Sequence, residues 1–260
     1  MLLRIFVLST LLATTGSVAG LAQSSASDQQ GVAVLQKALN ASGAALNPIR
    51  TFTATGTITY FWAGQPVQGS ATIRARGSDQ FRLDANLPDG PRSVSTGRQG
   101  GNRKNPDGKL NAIPSHNTLS GGTVTLPYPA IAAALADSYV TISYVGLVEE
   151  GGRAAHQVRI VRNFPADTDP DGTLARLSRI DYFVDAENFL VLRTEDVIHP
   201  VESLTENYSH SIELEGYTVI AGIAVPALVR EKVGGQATWE FRLSSISFNT
   251  NLQDSDFVLQ

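Results

Sequence analysis

The chain has 260 residues, with 20 basic and 24 acidic side chains for a formal net charge of −4, and it contains no cysteine. Mild acidity with both signs interspersed leaves no electrostatic footprint for nucleic acid. The missing cysteine excludes disulfides and a lipidated N-terminal cysteine.

Residues 1–22 read as a signal peptide. Arg4 supplies the positive start, Ile5 to Leu12 an apolar stretch, and Gly20 and Ala22 the small-x-small pattern of a cleavage site. A membrane anchor is the competing reading. Thr14, Thr15, Gly16 and Ser17 interrupt the run, and a span needs ~20 predominantly apolar residues. Removing this segment leaves 19 basic against 24 acidic residues and no transmembrane candidate. The expected location is the periplasm. No Pro/Ser-rich or charged linker divides the remainder, so 23–260 is expected to be a single domain.

Residues 28–44 have a helical pattern, with Asp28 placed to cap it and Val32, Leu35, Ala38 and Leu39 on one face. Asn47-Pro48 ends it. From Phe52 to Trp62 apolar residues and Gly56 fall on even positions and threonines on odd ones, which predicts a strand with one covered face. Ala63-Gly64 turns into a second alternating run, 67–76, and Gly77-Ser78 into a third, 80–87. Three consecutive strands with short turns form a meander.

Between Pro88 and Gly122, glycine, asparagine, aspartate and proline dominate, which predicts a flexible loop with one short strand at 93–97. An alanine-dense helix follows at 127–136. Further strands are expected at 139–147, 154–162, 175–184, 189–197, 208–217, 223–232 and 237–248, with turns at Asp185-Ala-Glu-Asn188 and Gly234-Gly235. The fold class is therefore mainly β (α+β). About ten or eleven strands are expected to form one strongly curved antiparallel sheet with an N-terminal helix and a short inserted one.

Enzyme motifs are missing. There is no Gly-x-Ser-x-Gly elbow, no His-Glu-x-x-His pair and no phosphate-cradling glycine loop, and His156 and His210 read as ordinary strand residues. Asp167-Thr-Asp169-Pro-Asp171-Gly172 has oxygen ligands at calcium-loop spacing, but Ser178 stands where a closing glutamate belongs. An acidic hairpin tip is the preferred reading of Asp167, Asp169 and Asp171, and no metal or other cofactor is assigned.

Four features carry a family resemblance: the helix-then-meander order, the two-strand run 180–193 with its acidic turn, Val225-Pro226 opening a strand, and the ending Phe248-Asn-Thr-Asn-Leu252-Gln-Asp-Ser-Asp-Phe257. Together they resemble the outer-membrane lipoprotein carrier and sorting proteins of the LolA/LolB type. The resemblance implies an unclosed β-barrel with a helical lid, holding acyl chains in a hydrophobic hollow. The expected partners are lipid or lipoprotein acyl chains, and the expected role is transport in the cell envelope without enzymatic chemistry. The apolar stripe Phe52, Ile58, Tyr60, Trp62, Val67, Ile73, Phe81 and Leu83 either lines that hollow or packs as ordinary core. The alternative function is a non-enzymatic envelope module that meets another protein through a sheet face or edge.

Overall fold

A computed structural model describes residues 27–61, 65–121 and 125–259. The signal-peptide reading, Trp62 and the Ala63-Gly64 turn lie outside the described residues. Helix α1 (Gln29–Ala41) opens the described chain, and the Asp28 carboxylate accepts the Gln30 amide at 2.8 Å as its cap. Its Val34, Leu35 and Ala38 are buried, as their spacing predicts. Strands β1 (Thr51–Tyr60), β2 (Val67–Arg76) and β3 (Gln80–Asn86) form the expected meander.

The segment 88–122 differs from its reading as a loop. It holds β4 (Arg92–Gly97), β5 (Gly100–Lys104) and β6 (Leu110–Ile113), followed by a short 3-10 turn at Ser115–Asn117. The first is the strand expected at 93–97; glycine and asparagine hid β5 and β6 because they supply no alternating pattern. Backbone pairing to β3 and onward creates the strands instead.

The alanine-dense segment forms α2 (Tyr128–Ala136), with Pro127 at its N-cap. Strands β7 (Val140–Glu150) and β8 (Arg153–Arg162) come next. The strand expected at 175–184 is two elements, a short helix α3 (Thr173–Leu177) and β9 (Ile180–Asp185). Asp169 and Asp171 account for the change. The Asp169 carboxylate accepts the Leu174 and Ala175 amides, both at 2.9 Å, and Asp171 accepts the Thr173 amide at 3.1 Å. The acidic segment therefore caps a helix and is not a hairpin tip.

The remaining strands are β10 (Val191–Ile198), β11 (Tyr208–Glu215), β12 (Thr218–Ile220), β13 (Ile223–Val225), β14 (Leu228–Val233) and β15 (Gln236–Phe248). The expected strand 223–232 is broken between β13 and β14, where Pro226 offers no backbone N–H.

Thirteen strands form one antiparallel sheet in the order β6-β5-β4-β3-β2-β1-β15-β14-β11-β10-β9-β8-β7, while β12 and β13 make a separate ribbon. This exceeds the expected ten or eleven because the glycine-rich segment supplies three. The end strands β6 and β7 do not pair, so the barrel is unclosed. Helix α1 lies inside, against β7, β8 and α2. Gly31 permits that contact, since a Cβ there would stand 3.0 Å from the Tyr144 amide nitrogen. On the convex side, Arg76 donates to the Leu252 carbonyl and Arg82 to those of Asp256 and Val258, holding the chain's end against β2 and β3.

Candidate functional site

Register places most of the predicted stripe together. Ala54, Ile73 and Leu83 stand side by side across β1, β2 and β3, and Phe52, Ala75 and Phe81 form the adjacent row. Ile58 is 0% exposed, Ile73 and Leu83 are each 1% exposed, and Phe52 and Phe81 are buried. Tyr60 and Val67 face each other, half-buried, at the far end of the meander. Val34, Leu35 and Ala38 of α1 and Ile131 of α2 belong to the same core cluster. The concave face is therefore filled mainly by the protein's own side chains.

Among the described residues, clefts beside α2 interrupt that filling. One of about 30 Å³ lies between Phe52, Phe81, Leu126 and Ala130. The other, of about 70 Å³, has Ala130, Ala133 and Ala134 of α2 on one side and Val140, Ile160, Ile180 and Tyr182 on the other. Both are far smaller than the ~300 Å³ or more of a typical ligand pocket. The helix above them is thinly anchored. Tyr128 and Ile131 are its buried residues, whereas Ala132, Ala133 and Ala136 are exposed. The mouth of the larger cleft is charged. Arg162, from the end of β8, pairs with Asp137 at 2.9 Å, and Arg98 pairs with Asp79 at 3.3 Å.

A second feature of the concave face escaped the sequence reading. His210 of β11 lies between two carboxylates, donating from Nδ1 to Asp196 of β10 at 2.5 Å and from Nε2 to Glu231 of β14 at 3.3 Å. Ser120 donates to Asp196, and the Thr238 hydroxyl donates to Glu231. Burial opposes the charge on His210, but the two carboxylates outweigh it and raise its pKa to about 10. His210 in turn holds Glu231 below the usual carboxylate range. The alternation did carry a signal. Asp196 shares its phase with Leu192 and Ile198, His210 precedes Ile212 and Leu214, and Glu231 follows Val229, so each charge stands on the apolar phase of its strand.

The chain from the 3-10 turn onward crosses to this cluster. Asn117 donates from Nδ2 to the His199 carbonyl at 2.8 Å and accepts the His199 amide at 2.7 Å. At the other side of the sheet, His156 stacks on Phe189 and shares a 3.0 Å hydrogen bond with the Tyr144 hydroxyl. Burial and Lys37 depress its pKa. Among the described residues no group of three His, Asp or Glu is placed to hold a metal ion, and no helix is long and apolar enough to cross a membrane.

The same chain course recurs in solved structures. A LolA superfamily protein from Nitrosomonas europaea aligns with a TM-score of 0.52 at 11% identity, over 86% of this chain and 97% of that one. The chain has a LolA-like fold. A domain described as an outer-membrane lipoprotein-sorting protein, from Vibrio parahaemolyticus, matches it with TM-score 0.52 and 10% identity over 88% of this chain and 96% of its own. A DUF1329 family protein from Desulfovibrio piger gives 0.52 and 11%, over 88% and 96%. No protein-family model and no curated protein matches the sequence. The LolA-like likeness lies in the path of the chain more than in its side chains.

Proposed function

We propose that this protein is an exported periplasmic carrier for a lipid or other acyl-chain-like ligand, held between α2 and the concave face, with a role in lipid or lipoprotein transport to the outer membrane. The observation that carries the reading is the alanine face of α2 over an apolar floor, with unfilled clefts beneath and two buried side chains as anchors. The LolA-like fold supports it. The clefts are too small for a chain as they stand, so loading requires α2 to lift. At ~0.8 kcal/mol per buried CH₂, ten methylenes would contribute about 8 kcal/mol, enough to offset the displacement of Ile131 and Tyr128. The stripe Phe52, Ile58, Ile73, Phe81 and Leu83 would form the floor that receives the chain, and no bond-making step is invoked.

Native mass spectrometry of protein purified without detergent tests the carrier. A bound species of lipid mass is expected. An empty protein that also fails to take up a fluorescent fatty acid would remove the proposal. One observation favours the alternative, an envelope protein-interaction module. The outer half of edge strand β7 exposes Val145 (46%) and Leu147 (60%) beside a strand edge open to pairing. A stable protein partner that survives stripping of all lipid would favour that reading.

A further inference from the structure

The larger cleft has an apolar floor and two ion pairs at its mouth, Arg98 with Asp79 and Arg162 with Asp137, and the two arginines come from different parts of the sheet. Arg98 stands at the β4–β5 turn and Arg162 at the end of β8, and both line the cleft. The carboxylate closest to Arg162 belongs to α2's own C-cap, Asp137. Its geometry is unfavourable on one count and favourable on another. A carboxylate at a helix C-terminus is opposed by the helix dipole, by about 0.3–1 kcal/mol. Asp137 nevertheless accepts the Tyr139 amide at 2.9 Å and pairs with Arg162, and Arg98 adds a weaker charge interaction. These groups together hold its pKa below the usual carboxylate range, the Tyr139 amide being the largest contributor. Arg98 is committed only weakly. Its side chain is 51% exposed and its contact with Asp79 is 3.3 Å, long for a charge-assisted hydrogen bond.

We propose that Arg98 and Arg162 form the head-group seat for a single-chain anionic amphiphile, with Asp137 occupying that seat when no ligand is bound. The proposal rests on the carrier reading above and adds the chemical class of the ligand. The chain of the amphiphile enters over Val140, Ile160, Ile180 and Tyr182 and runs under α2 to the floor that holds Phe52 and Phe81. Its terminal oxyanion, a carboxylate or a phosphate monoester, takes over the guanidinium of Arg162 that Asp137 holds. Displacing Asp137 unties the C-terminal end of α2, so head-group binding and lid lifting are one event. Burial of the ligand's hydrocarbon under α2, which Asp137 cannot supply, gives the exchange its direction. No bond forms or breaks.

Dansyl-labelled undecanoic acid and its methyl ester, titrated at pH 7.5, distinguish a charged seat from a greasy cleft. The acid should bind about tenfold more tightly than the ester, the scale of one charge-assisted hydrogen bond. Arg98→Gln and Arg162→Gln should each bring the acid toward the ester's affinity and leave the ester's unchanged, which also reports an intact fold. Asp137→Asn should tighten the acid several-fold. If Arg162→Gln loses the ester as well, the half-exposed Arg98 decides the matter through Arg98→Gln. Dodecanoate and dodecyl phosphate should both displace the acid, dodecanol should do so weakly, and inorganic phosphate at equal concentration should not. Equal binding of acid and ester overturns the seat but leaves the carrier standing. Displacement by inorganic phosphate alone overturns the amphiphile. Failure of both probes to bind overturns the seat and the carrier together.

Discussion

The concave face is buried in two ways. Across β1, β2 and β3 it is dry: Ile58, Ile73 and Leu83 pack beneath the helices with almost no exposed surface. Across β10, β11 and β14 the same face carries the buried Asp196 and His210 and the half-buried Glu231, held together by charge. The dry part loses roughly what its methylenes gained on leaving water, plus any cavity that fails to collapse. The ionic part behaves differently. Its net contribution is small against an apolar replacement, yet removing one partner strands a buried charge. Hydrocarbon can slide over the first region and is repelled by the second. On the proposed carrier reading, the cluster marks where an apolar chain would stop and leaves the alanine-lidded half as the place for it.

Placing a charge in the dry region breaks this contrast most severely. Ile73→Asp should yield no cooperatively folded protein by circular dichroism, because a lone carboxylate would enter a site that is 1% exposed. Asp196→Ala should come next, lowering stability by about 3–5 kcal/mol in urea denaturation, since it removes a partner of a buried ion pair. Ile58→Ala should cost about 2–5 kcal/mol by the cavity mechanism, without altering the pH dependence.

That pH dependence separates the two regions. The pKa of His210 is raised from 6.5 to about 10 on folding, so the folded state binds its proton more tightly than the unfolded chain does. Its contribution is fully present below about pH 6.5 and is lost as pH rises toward about 10. Thermal midpoints should fall across that window for the wild-type protein. They should fall less for Asp196→Asn, which removes the largest charge interaction raising the His210 pKa.

The smallest effect is expected at the β5–β6 connection, where 106–110 are exposed and the hairpin lies at the sheet's end. Limited trypsin digestion should cut first at Arg103, Lys104 or Lys109 and leave the unfolding midpoint within about 0.5 kcal/mol of the intact protein. A first cut within β1 or β15 would contradict this ordering.

Much of the architecture was legible because its causes are local. Threonine alternation in β1 shows which side is covered, and Asp28 shows where α1 begins. Asp185-Ala-Glu-Asn188 forms the expected turn, with the Asp185 carboxylate accepting the Glu187 amide at 2.8 Å and the Asn188 amide at 3.0 Å. The stripe residues Phe52, Ile58, Ile73, Phe81 and Leu83 could be gathered from strand period and short turns alone. Beyond the strand expected at 93–97, the segment from Pro88 could not be read this way, because glycine and asparagine carry no period and β5 and β6 exist by pairing with β4 and with each other. The helical start of 173–177 was obscured because Asp169 and Asp171 read as an acidic hairpin tip and instead accept backbone amides.

The sequence by itself determined an antiparallel, mainly β chain with a capped first helix, an alanine-rich inserted helix and one apolar face. These depend on residues within a few positions of each other. Only the tertiary structure decided that the hollow is nearly full, that Asp196, His210 and Glu231 meet, and that Arg98 and Arg162 share one cleft mouth with Asp137. Those groups come from separate strands and turns. Their meeting depends on register and sheet curvature, so a strand shifted by one residue would turn His210 or Glu231 to the opposite face.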